Sequence, residues 1–387
     1  MPGTGHAPRG EGTIGHVSVR AVVVVGVALS LAGSVRAAFP GANGELAYFY
    51  AGEVSVVSAD GARTRMLGSG LSPAWAPNGR RLAFDAQTGR NFDIWTMRAD
   101  GRDRRRVTTD PAPDYFASWS PDGTQIVFTS DRGGEDLFVI GADGAGERRL
   151  TTDPAPDWGP AWSPDGTRIA FAGNARGNLE VELVDVTGAE RVALTDHPAR
   201  DYDPAWSPDG TRIAFTSERD GDANVYVMNA DGSGLTQLTS DPSGDWRPAW
   251  SPDGTRIAFE SSRDPAAFDR DVFVMNADGT DQRRIRSGNV NARDLDWQPT
   301  VDLVAGQRLR GRRAVVTIRN ATPVATDRVV LTVRAPRPRK VTIGALGPLA
   351  VRSVTVPIAR RVRAVTVSVS GWHADPRPRN NRVVARR

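Results

Sequence analysis

The chain lacks the residues on which several classes of protein depend. It contains no cysteine, which excludes a disulfide framework and a lipoprotein anchor. Lys340 is the only lysine, and the 4 histidines are His6, His16, His197 and His373. No apolar run is long enough to cross a bilayer as a helix. The length and composition otherwise fit a soluble, multi-domain globular protein.

The amino-terminal segment has the pattern of an export signal. Arg9 and Arg20 precede an apolar run at residues 21–32, and Ala37 or Ala38 supplies a small residue for cleavage. We therefore predict a signal peptide at residues 1–38, with an uncleaved anchor as the alternative. Both interpretations place the protein outside the cytoplasm, in the periplasm, at the cell surface or in the medium.

One stretch, PAWSPDGTRIAF, occupies residues 160–171 and returns almost unchanged at 204–215 and 248–259. Looser copies align with these on six tryptophans 43 to 47 residues apart: Trp75, Trp119, Trp162, Trp206, Trp250 and Trp297. A period of this length that carries only strand and turn signals is typical of a β-propeller.

Within one period, strand and turn signals alternate. In the copy that begins at Pro204 we predict strands at 205–207, 212–217, 224–229 and 235–239, joined by turns such as SPDG and NADG. A four-stranded sheet of this size buries little by itself, so such sheets occur in stacked sets.

The two ends of the repeat region complement each other. Residues 45–50, 53–58 and 63–67 supply three strands without an inner strand, whereas residues 295–298 supply an inner strand alone. We therefore predict an all-β fold, a six-bladed β-propeller over residues 39–298 that is closed by its amino- and carboxy-terminal strands in one shared blade. An open arc is the alternative.

The repeat resembles that of a known family. The WSPDG turn, the IAF strand and the YVMNADG segment are similar to the repeats of TolB-like propellers, and they lack the Gly-His and Trp-Asp signatures of WD40 repeats. The resemblance covers roughly residues 43–299. It implies the fold, but not one function, because adaptors, peptidases and lyases all use this repeat.

Several absences argue against an enzyme. The chain has no Gly-x-Ser-x-Gly motif, and the only histidine of the predicted propeller, His197, fits a solvated loop. The segment from Asp220 through Asp222 to Asn224 has alternating oxygen ligands but lacks the terminal glutamate of a calcium loop, so we interpret it as a hairpin turn. We expect no catalytic residue, no metal and no cofactor.

One face of the predicted propeller carries a repeated pair of residues. The SPDG and NADG turns share a face and hardly vary, whereas the opposite face carries longer, varied loops. There the crossovers place an aspartate five and an aromatic residue four positions before the tryptophan: Asp114 and Tyr115, Asp157 and Trp158, Asp201 and Tyr202, Asp245 and Trp246. We call these residues the binding rim and predict that they form an incomplete arc around the channel mouth, absent from the other two blades. The alternative is that they cap turns and pack between blades.

The composition changes after Trp297. Residues 299–387 contain 18 arginines and Lys340 against 3 aspartates, a net charge of +16, which leaves −12 for residues 1–298 because the whole chain carries +4. Strands are predicted at 313–319, 328–334, 340–343, 352–358, 364–370 and 381–385. The segment resembles the immunoglobulin-like CARDB domains of bacterial surface proteins, which implies a small β-sandwich over residues 299–387.

The arginines of this segment predict a basic surface that includes Arg337, Arg339, Lys340, Arg360, Arg361 and Arg363. It would bind an anionic envelope polymer or a lipid surface in a salt-sensitive way. The alternatives are that the arginines solvate the sandwich or lie against the acidic propeller. We expect no nucleic acid, because export argues against it and Trp372 is the only aromatic residue of the segment.

These patterns together predict an exported, monomeric, non-enzymatic adaptor whose loop face binds an envelope or secreted protein. The alternative is a glycan-binding or glycan-cleaving surface protein that uses the same rim, with Asp114, Asp157, Asp201 and Asp245 as its carboxylates. A repeated set of equivalent aspartates offers no acid and base in distinct environments, which argues against cleavage.

Overall fold

The computed structural model describes residues 42–263, 270–285 and 293–300, and beyond these the backbone of seven further strands. Side chains are described between residues 43 and 299, outside the two gaps. In this part of the chain every regular element is a strand, and no helix has the length and apolar character that crossing a membrane requires. The predicted signal peptide at residues 1–38 lies outside the described residues.

Six four-stranded antiparallel sheets form the blades of a propeller. Blades 1 to 5 follow one another along the chain, and the strands of each are given from the inner to the outer one. Blade 1 consists of Leu71–Trp75, Arg81–Thr88, Asn91–Arg98 and Arg105–Arg106; blade 2 of Asp114–Trp119, Gln125–Ser130, Asp136–Gly141 and Arg148–Arg149; and blade 3 of Asp157–Trp162, Arg168–Gly173, Glu180–Asp185 and Arg191–Ala193. Blade 4 consists of Asp201–Trp206, Arg212–Ser217, Asn224–Asn229 and Thr236–Gln237, and blade 5 of Asp245–Trp250, Arg256–Ser261, Asp271–Asn276 and Arg283–Arg284. In blade 6 the inner strand is Arg293–Thr300, followed by Ala42–Tyr50, Glu53–Val57 and Thr64–Ser69.

The all-β, six-bladed fold predicted from the repeats is confirmed. In blade 4 the second and third strands have the predicted bounds, whereas the fourth is only Thr236–Gln237. The inner strand begins at Asp201, earlier than predicted, because its first two residues pair with the end of the second strand ahead of a bulge. A sequence pattern does not reveal pairing that continues past a bulge.

The core lies between the blades. All six repeat tryptophans are at most 3% exposed. The Trp206 indole N–H donates to the Ala161 carbonyl of blade 3 at 3.2 Å, and the same bond joins Trp119 to Ala74 of blade 1. One apolar cluster around Trp206 contains residues of blades 3, 4 and 5. Burial of such large side chains between neighbours is therefore the main force that holds the sheets together.

The SPDG turns make one face of the propeller uniform. In blade 4 the Ser207 hydroxyl donates to Asp209 at 2.6 Å, and the Thr211 amide and hydroxyl donate to the same carboxylate oxygen. Gly210 follows with a φ of 70°, which the turn requires. The same bonds surround Asp122, Asp165 and Asp253 in three other blades. These residues are therefore chosen for turn geometry.

The inner strand of blade 6 contacts its neighbours through polar side chains. Asp296 accepts the Trp75 amide of blade 1 at 2.6 Å. The Gln298 side-chain amide donates to the Gly79 carbonyl of blade 1 at 2.8 Å. On the other side, the Asp294 amide donates to Glu260 of blade 5 at 2.7 Å. Blades 1 to 5 have alanine or serine at the position of Asp296, so a carboxylate at this position is particular to blade 6.

After blade 6 the structure describes the backbone of two antiparallel sheets. The strands of the first are Leu303–Arg310, Arg313–Asn320 and Val351–Pro357, and those of the second, in sheet order, are Arg337–Leu346, Thr326–Ala335, Ala364–Gly371 and Arg382–Arg386. The first of these strands was not predicted. The resemblance of this segment to CARDB domains and the domain boundaries stay predictions.

Asp296→Ala would remove the acceptor of a buried backbone donor. We expect the free energy of unfolding to fall by about 1–3 kcal/mol, because the Trp75 amide is left unsatisfied. Denaturant titration of the full chain, followed by tryptophan fluorescence, measures the change. Asp196→Ala is the control, since that side chain is 85% exposed, and its effect should stay within about 0.5 kcal/mol. Equal effects would contradict the role given to Asp296.

Candidate functional site

The four aspartates of the binding rim begin the inner strands of blades 2 to 5. In blade 4, Asp201 pairs with Ser217 and Tyr202 with Thr216, and the same register recurs in the other three blades. The rim residues therefore belong to the sheets and not to the crossovers in which the sequence placed them. The segment ahead of each aspartate looks like a loop because it is rich in proline, glycine or small residues.

The rim aspartates are buried and ion-paired. All four are 0% exposed. In blades 2, 4 and 5 the partner is an arginine 18 residues later in the same blade: Arg132 lies 3.3 Å from Asp114, Arg219 lies 2.9 Å from Asp201, and Arg263 lies 2.7 Å from Asp245. Each guanidinium also lies over two aromatic rings of its blade. The four carboxylates are therefore covered, and the adjacent aromatic residues are the members of the rim that can be exposed to solvent.

Blade 3 holds its aspartate with a different arginine. Ala175 occupies the equivalent loop position, and Arg191 of the fourth strand bonds Asp157 at 2.9 Å instead. Arg191 also donates to Glu182 at 2.5 Å and to Asp153. Glu182 stands where blades 2, 4 and 5 have an aromatic residue. Arg191 still lies over the Phe171 ring, 4.9 Å from its centroid, so blade 3 replaces only the second of the two ring contacts by an ion pair.

This environment changes the proton affinity of Asp157. Burial raises the pKa of Asp157 from 3.8 to about 7, although the Arg191 guanidinium and the Thr151 hydroxyl act in the opposite direction. The negative charge of Asp153 adds to the increase. In blade 2, burial likewise raises the pKa of Asp114.

Three of the four rim aromatics, Tyr115, Trp158 and Trp246, are half-buried, whereas Tyr202 is only 4% exposed. Tyr115 lies between Phe92 of blade 1 and its neighbour in the sequence, with ring centroids 5.6 and 5.9 Å apart. The Tyr202 hydroxyl donates to a glutamate of its own blade at 3.0 Å. Three of the four rim rings therefore remain partly open to solvent, and the fourth is covered.

A further set of residues surrounds the propeller axis and was missed by the sequence analysis. Three positions before each blade tryptophan the backbone is left-handed, with φ from 45° to 60°: Ser72, Phe116, Gly159, Asp203, Arg247 and Asp294. This conformation is costly for bulky side chains, and a bulge lies at this point of the inner strands. The sequence did contain one sign of these residues, since a single variable residue stands directly before each identical copy of PAWSPDG.

Arg247 connects three blades at this level. Its guanidinium lies 3.7 Å from Asp203 of blade 4, 3.7 Å from Asp294 of blade 6 and 3.3 Å from Glu260 of its own blade. Burial would lower the pKa of Arg247, but these three carboxylates outweigh it and raise the pKa. Arg270 pairs with Glu260 at 2.9 Å from another direction. At the left-handed position itself, blades 4 to 6 therefore carry charged residues, whereas blades 1 to 3 carry Ser72, Phe116 and Gly159.

The other candidate residues have structural roles or lie outside the described part. The His197 amide donates to Glu180 at 3.0 Å, and its Nδ1 accepts the Ala199 amide at 3.1 Å. Asp220 accepts the Tyr226 hydroxyl. Within the described ranges, no group of three or more His, Cys, Asp or Glu side chains is arranged to hold a metal ion.

The predicted basic surface cannot be placed from side chains. Arg337, Arg339 and Lys340 lie on the strand Arg337–Leu346, whose side chains are outside the described residues. Arg360, Arg361 and Arg363 are also outside them. The basic surface stays a prediction.

Asp157→Asn tests the pKa shift at the rim. An acid whose pKa is raised on folding contributes stability that is complete below its unfolded pKa near 3.8 and is lost as the pH rises through about 7. The unfolding free energy of the wild-type chain, relative to that of the variant, should therefore decrease over this interval. Denaturant titrations at a series of pH values measure it.

Asp209→Asn supplies the control with the opposite sign. Hydrogen bonds from Ser207 and Thr211 outweigh burial and lower the pKa of Asp209 below 3.8. The contribution of Asp209 to the free energy of unfolding should be present above pH 3.8 and disappear as the pH falls through the lowered pKa. The same pH trend in both variants would contradict the assignment for Asp157.

Solved structures with similar propellers include two TolB proteins. TolB from Acinetobacter baumannii superimposes with a TM-score of 0.59 at 21% identity, over 66% of this chain and 67% of that chain. A putative TolB from Agrobacterium tumefaciens gives a TM-score of 0.54 at 22% identity, over 65% and 91%. At these identities the likeness shows the fold alone.

Sequence similarity gives a shorter match and a family. The Tol-Pal system protein TolB of Anaeromyxobacter dehalogenans is 42% identical over 45 residues, 12% of this chain and 10% of the relative. The chain thus matches about a tenth of that relative's length. The model of the TolB beta propeller domain, PD40, matches residues 55–155 and 136–330, which is more than half of the chain. The protein therefore belongs to the TolB beta propeller domain family.

Proposed function

We propose that the protein is an exported, non-enzymatic adaptor whose loop face binds a partner protein of the cell envelope or surface. The observation that carries the proposal is the binding rim, where half-buried Tyr115, Trp158 and Trp246 stand beside carboxylates that arginines hold in place. Aromatic anchors in a fixed polar frame are typical of the hot spots of protein interfaces. A row of them at one end of a propeller suits a partner that covers several blades.

The contrast between the two faces supports the same choice. The turn face repeats one set of serine, aspartate and threonine hydrogen bonds in blade after blade. The rim varies its ring type and its arginine source from blade to blade. A face whose side chains differ between blades, on a backbone geometry that each blade repeats, can distinguish partners, whereas a uniform face cannot.

The buried state of the rim carboxylates bears on the glycan alternative. Glycoside cleavage needs two carboxyl groups that reach the scissile bond from the solvent. Asp114, Asp157, Asp201 and Asp245 are covered and paired with arginines. This favours binding over cleavage, and capture of a glycan by the rings becomes an outcome of the experiment below.

Export, closure of the ring by residues 293–300 and an immunoglobulin-like carboxy-terminal domain are parts of this proposal. The support for export is the signal pattern of residues 1–38 and the similarity of one repeat to a Tol-Pal system protein. The arginine-rich segment would hold the protein at an anionic envelope polymer or lipid surface.

Substitution of the exposed rings tests the proposal. Full-length wild type and the variant Tyr115→Ser/Trp158→Ser/Trp246→Ser are used to capture proteins from envelope extract, and the Kd of each purified captured protein is then measured. We expect one protein whose binding weakens by at least about tenfold in the variant, because anchor residues each contribute more than about 1 kcal/mol. Circular dichroism checks that the variant is folded.

The matched control removes exposed apolar surface elsewhere on the blades. Met66→Ser/Val192→Ser/Leu235→Ser changes three side chains that are 67%, 57% and 44% exposed. It should bind the partner as the wild type does. Equal loss in both variants, or capture of a polysaccharide instead of a protein, would contradict the proposed function.

A further inference from the structure

One outer edge of the propeller differs from the other five. The fourth strand of blade 6, Thr64–Ser69, has 6 residues, whereas the fourth strands of blades 1 to 5 have 2 or 3. Met66 of this strand is 67% exposed, more than any other large apolar residue that the structure describes. An outer strand has one side without a neighbour, where its amide and carbonyl groups can pair with another strand. Blade 6 therefore carries the longest open edge of the six.

The charge that protects this edge in other blades is absent from blade 6. In blades 1, 2 and 5 the position of Met66 holds an arginine, namely Arg106, Arg149 and Arg284. These arginines pair with buried aspartates of the third strands at 2.9, 2.5 and 2.7 Å, respectively. Charged side chains on an edge strand oppose the addition of another strand. Met66 provides no such opposition.

The register shows which backbone groups of the edge are open. The Ser58 amide donates to the Arg63 carbonyl at 2.9 Å, and Arg65 pairs with the third strand two positions later. Bonded and non-bonded pairs alternate in an antiparallel ladder, so the backbone groups of Arg65 face the third strand, whereas those of Thr64 and Met66 point outward. Among the described residues, no hydrogen bond from another blade reaches Thr64 or Met66.

We infer that Thr64–Ser69 is a self-association edge, at which two copies of the chain pair antiparallel about Met66. Met66 then lies opposite Met66 of the second copy, and Arg65 lies opposite Leu67. Registers shifted toward Arg63 place arginines opposite each other, which destabilises a ladder. A shift in the other direction meets the bulge of this strand. The sequence of the edge therefore favours one self-complementary register.

The direction of the strand determines how the two copies are arranged. The chain enters Thr64–Ser69 from the turn face and leaves it toward the loop face. Antiparallel pairing reverses this direction in the second copy, so the two loop faces point to opposite ends of the dimer. Such a dimer presents two binding rims and can link two partner molecules. This goes beyond the proposed function, which concerns the rim of one copy.

The size of the edge limits the strength of the contact. Stable protein interfaces bury about 1,200–2,000 Å² in total, more than one short pair of strands provides. We therefore expect a weak dimer with a Kd on the order of tens of micromolar. At low concentration the chain would be the monomer expected from its composition and repeats.

A single introduced cysteine tests the register, because the full chain contains no cysteine. Met66→Cys places two thiols opposite each other, with the Cα atoms about 5.5 Å apart, a separation that a disulfide spans. Air oxidation with copper phenanthroline, above the expected Kd, should link the greater part of this variant into dimers on a gel without reductant. Val192→Cys is the control, since that side chain is 57% exposed on the outer strand of blade 3. Equal linkage of both variants would overturn the inference.

Sedimentation velocity tests the association without a cross-link. The sedimentation coefficient of the wild-type chain should rise with concentration. Met66→Lys should raise the Kd of the dimer at least about tenfold, because two ammonium groups would face each other across the edge. Val192→Lys should associate as the wild type does, and circular dichroism checks that both variants are folded. Equal weakening by both substitutions would contradict the assignment to this edge.

Two further outcomes would also overturn the inference. One is a wild-type sedimentation coefficient that does not change with concentration. The other is self-association that Met66→Lys leaves intact and added salt abolishes, since the contact would then join the arginine-rich residues 299–387 to acidic residues of a second copy. Neither test uses a partner protein. Loss of the dimer therefore leaves the proposed function standing, and failure to capture a partner leaves the dimer standing.

Discussion

The structure depends on the burial of each blade's faces against its neighbours. A four-stranded sheet cannot hide its apolar residues alone, and each tryptophan of an inner strand becomes buried only when the next sheet is in place. The hydrogen bond from the Trp206 indole N–H to the Ala161 carbonyl adds a fixed register to that contact. Because stability comes from contacts repeated around the axis, one end of the propeller can vary without loss of the fold.

The two ends of the propeller use this freedom differently. At the turn end, the same hydrogen bonds around residues such as Asp209 recur, and they allow little variation. At the loop end, a buried aspartate begins the inner strand and an arginine covers it, but the arginine can come from a loop, as Arg219 does, or from the fourth strand, as Arg191 does. This frame fixes the backbone and leaves the adjacent ring partly open. The binding rim is thus a consequence of the scaffold, with a ring type and an arginine source that differ between blades.

The sequence predicted the blades because their signals are local. Turn geometry requires glycine at positions such as Gly210, and the tryptophan recurs at the same place in each period. The rim was recognised as a repeated pair, but its aspartates were placed in loops. Their burial depends on arginines 18 or 34 residues away, a distance at which sequence spacing gives no preference. The left-handed residues at the axis, such as Arg247, were missed because only the backbone of a bulge explains them.

The central claim is that a partner covers the loop end of the propeller, and amide hydrogen exchange tests it most directly. Exchange is measured on the full chain with and without the captured protein. The account predicts slower exchange in the crossovers and at the first residues of the inner strands of blades 2 to 5, with no change in the SPDG turns. Protection confined to those turns, or to the strands after residue 300, would contradict the account.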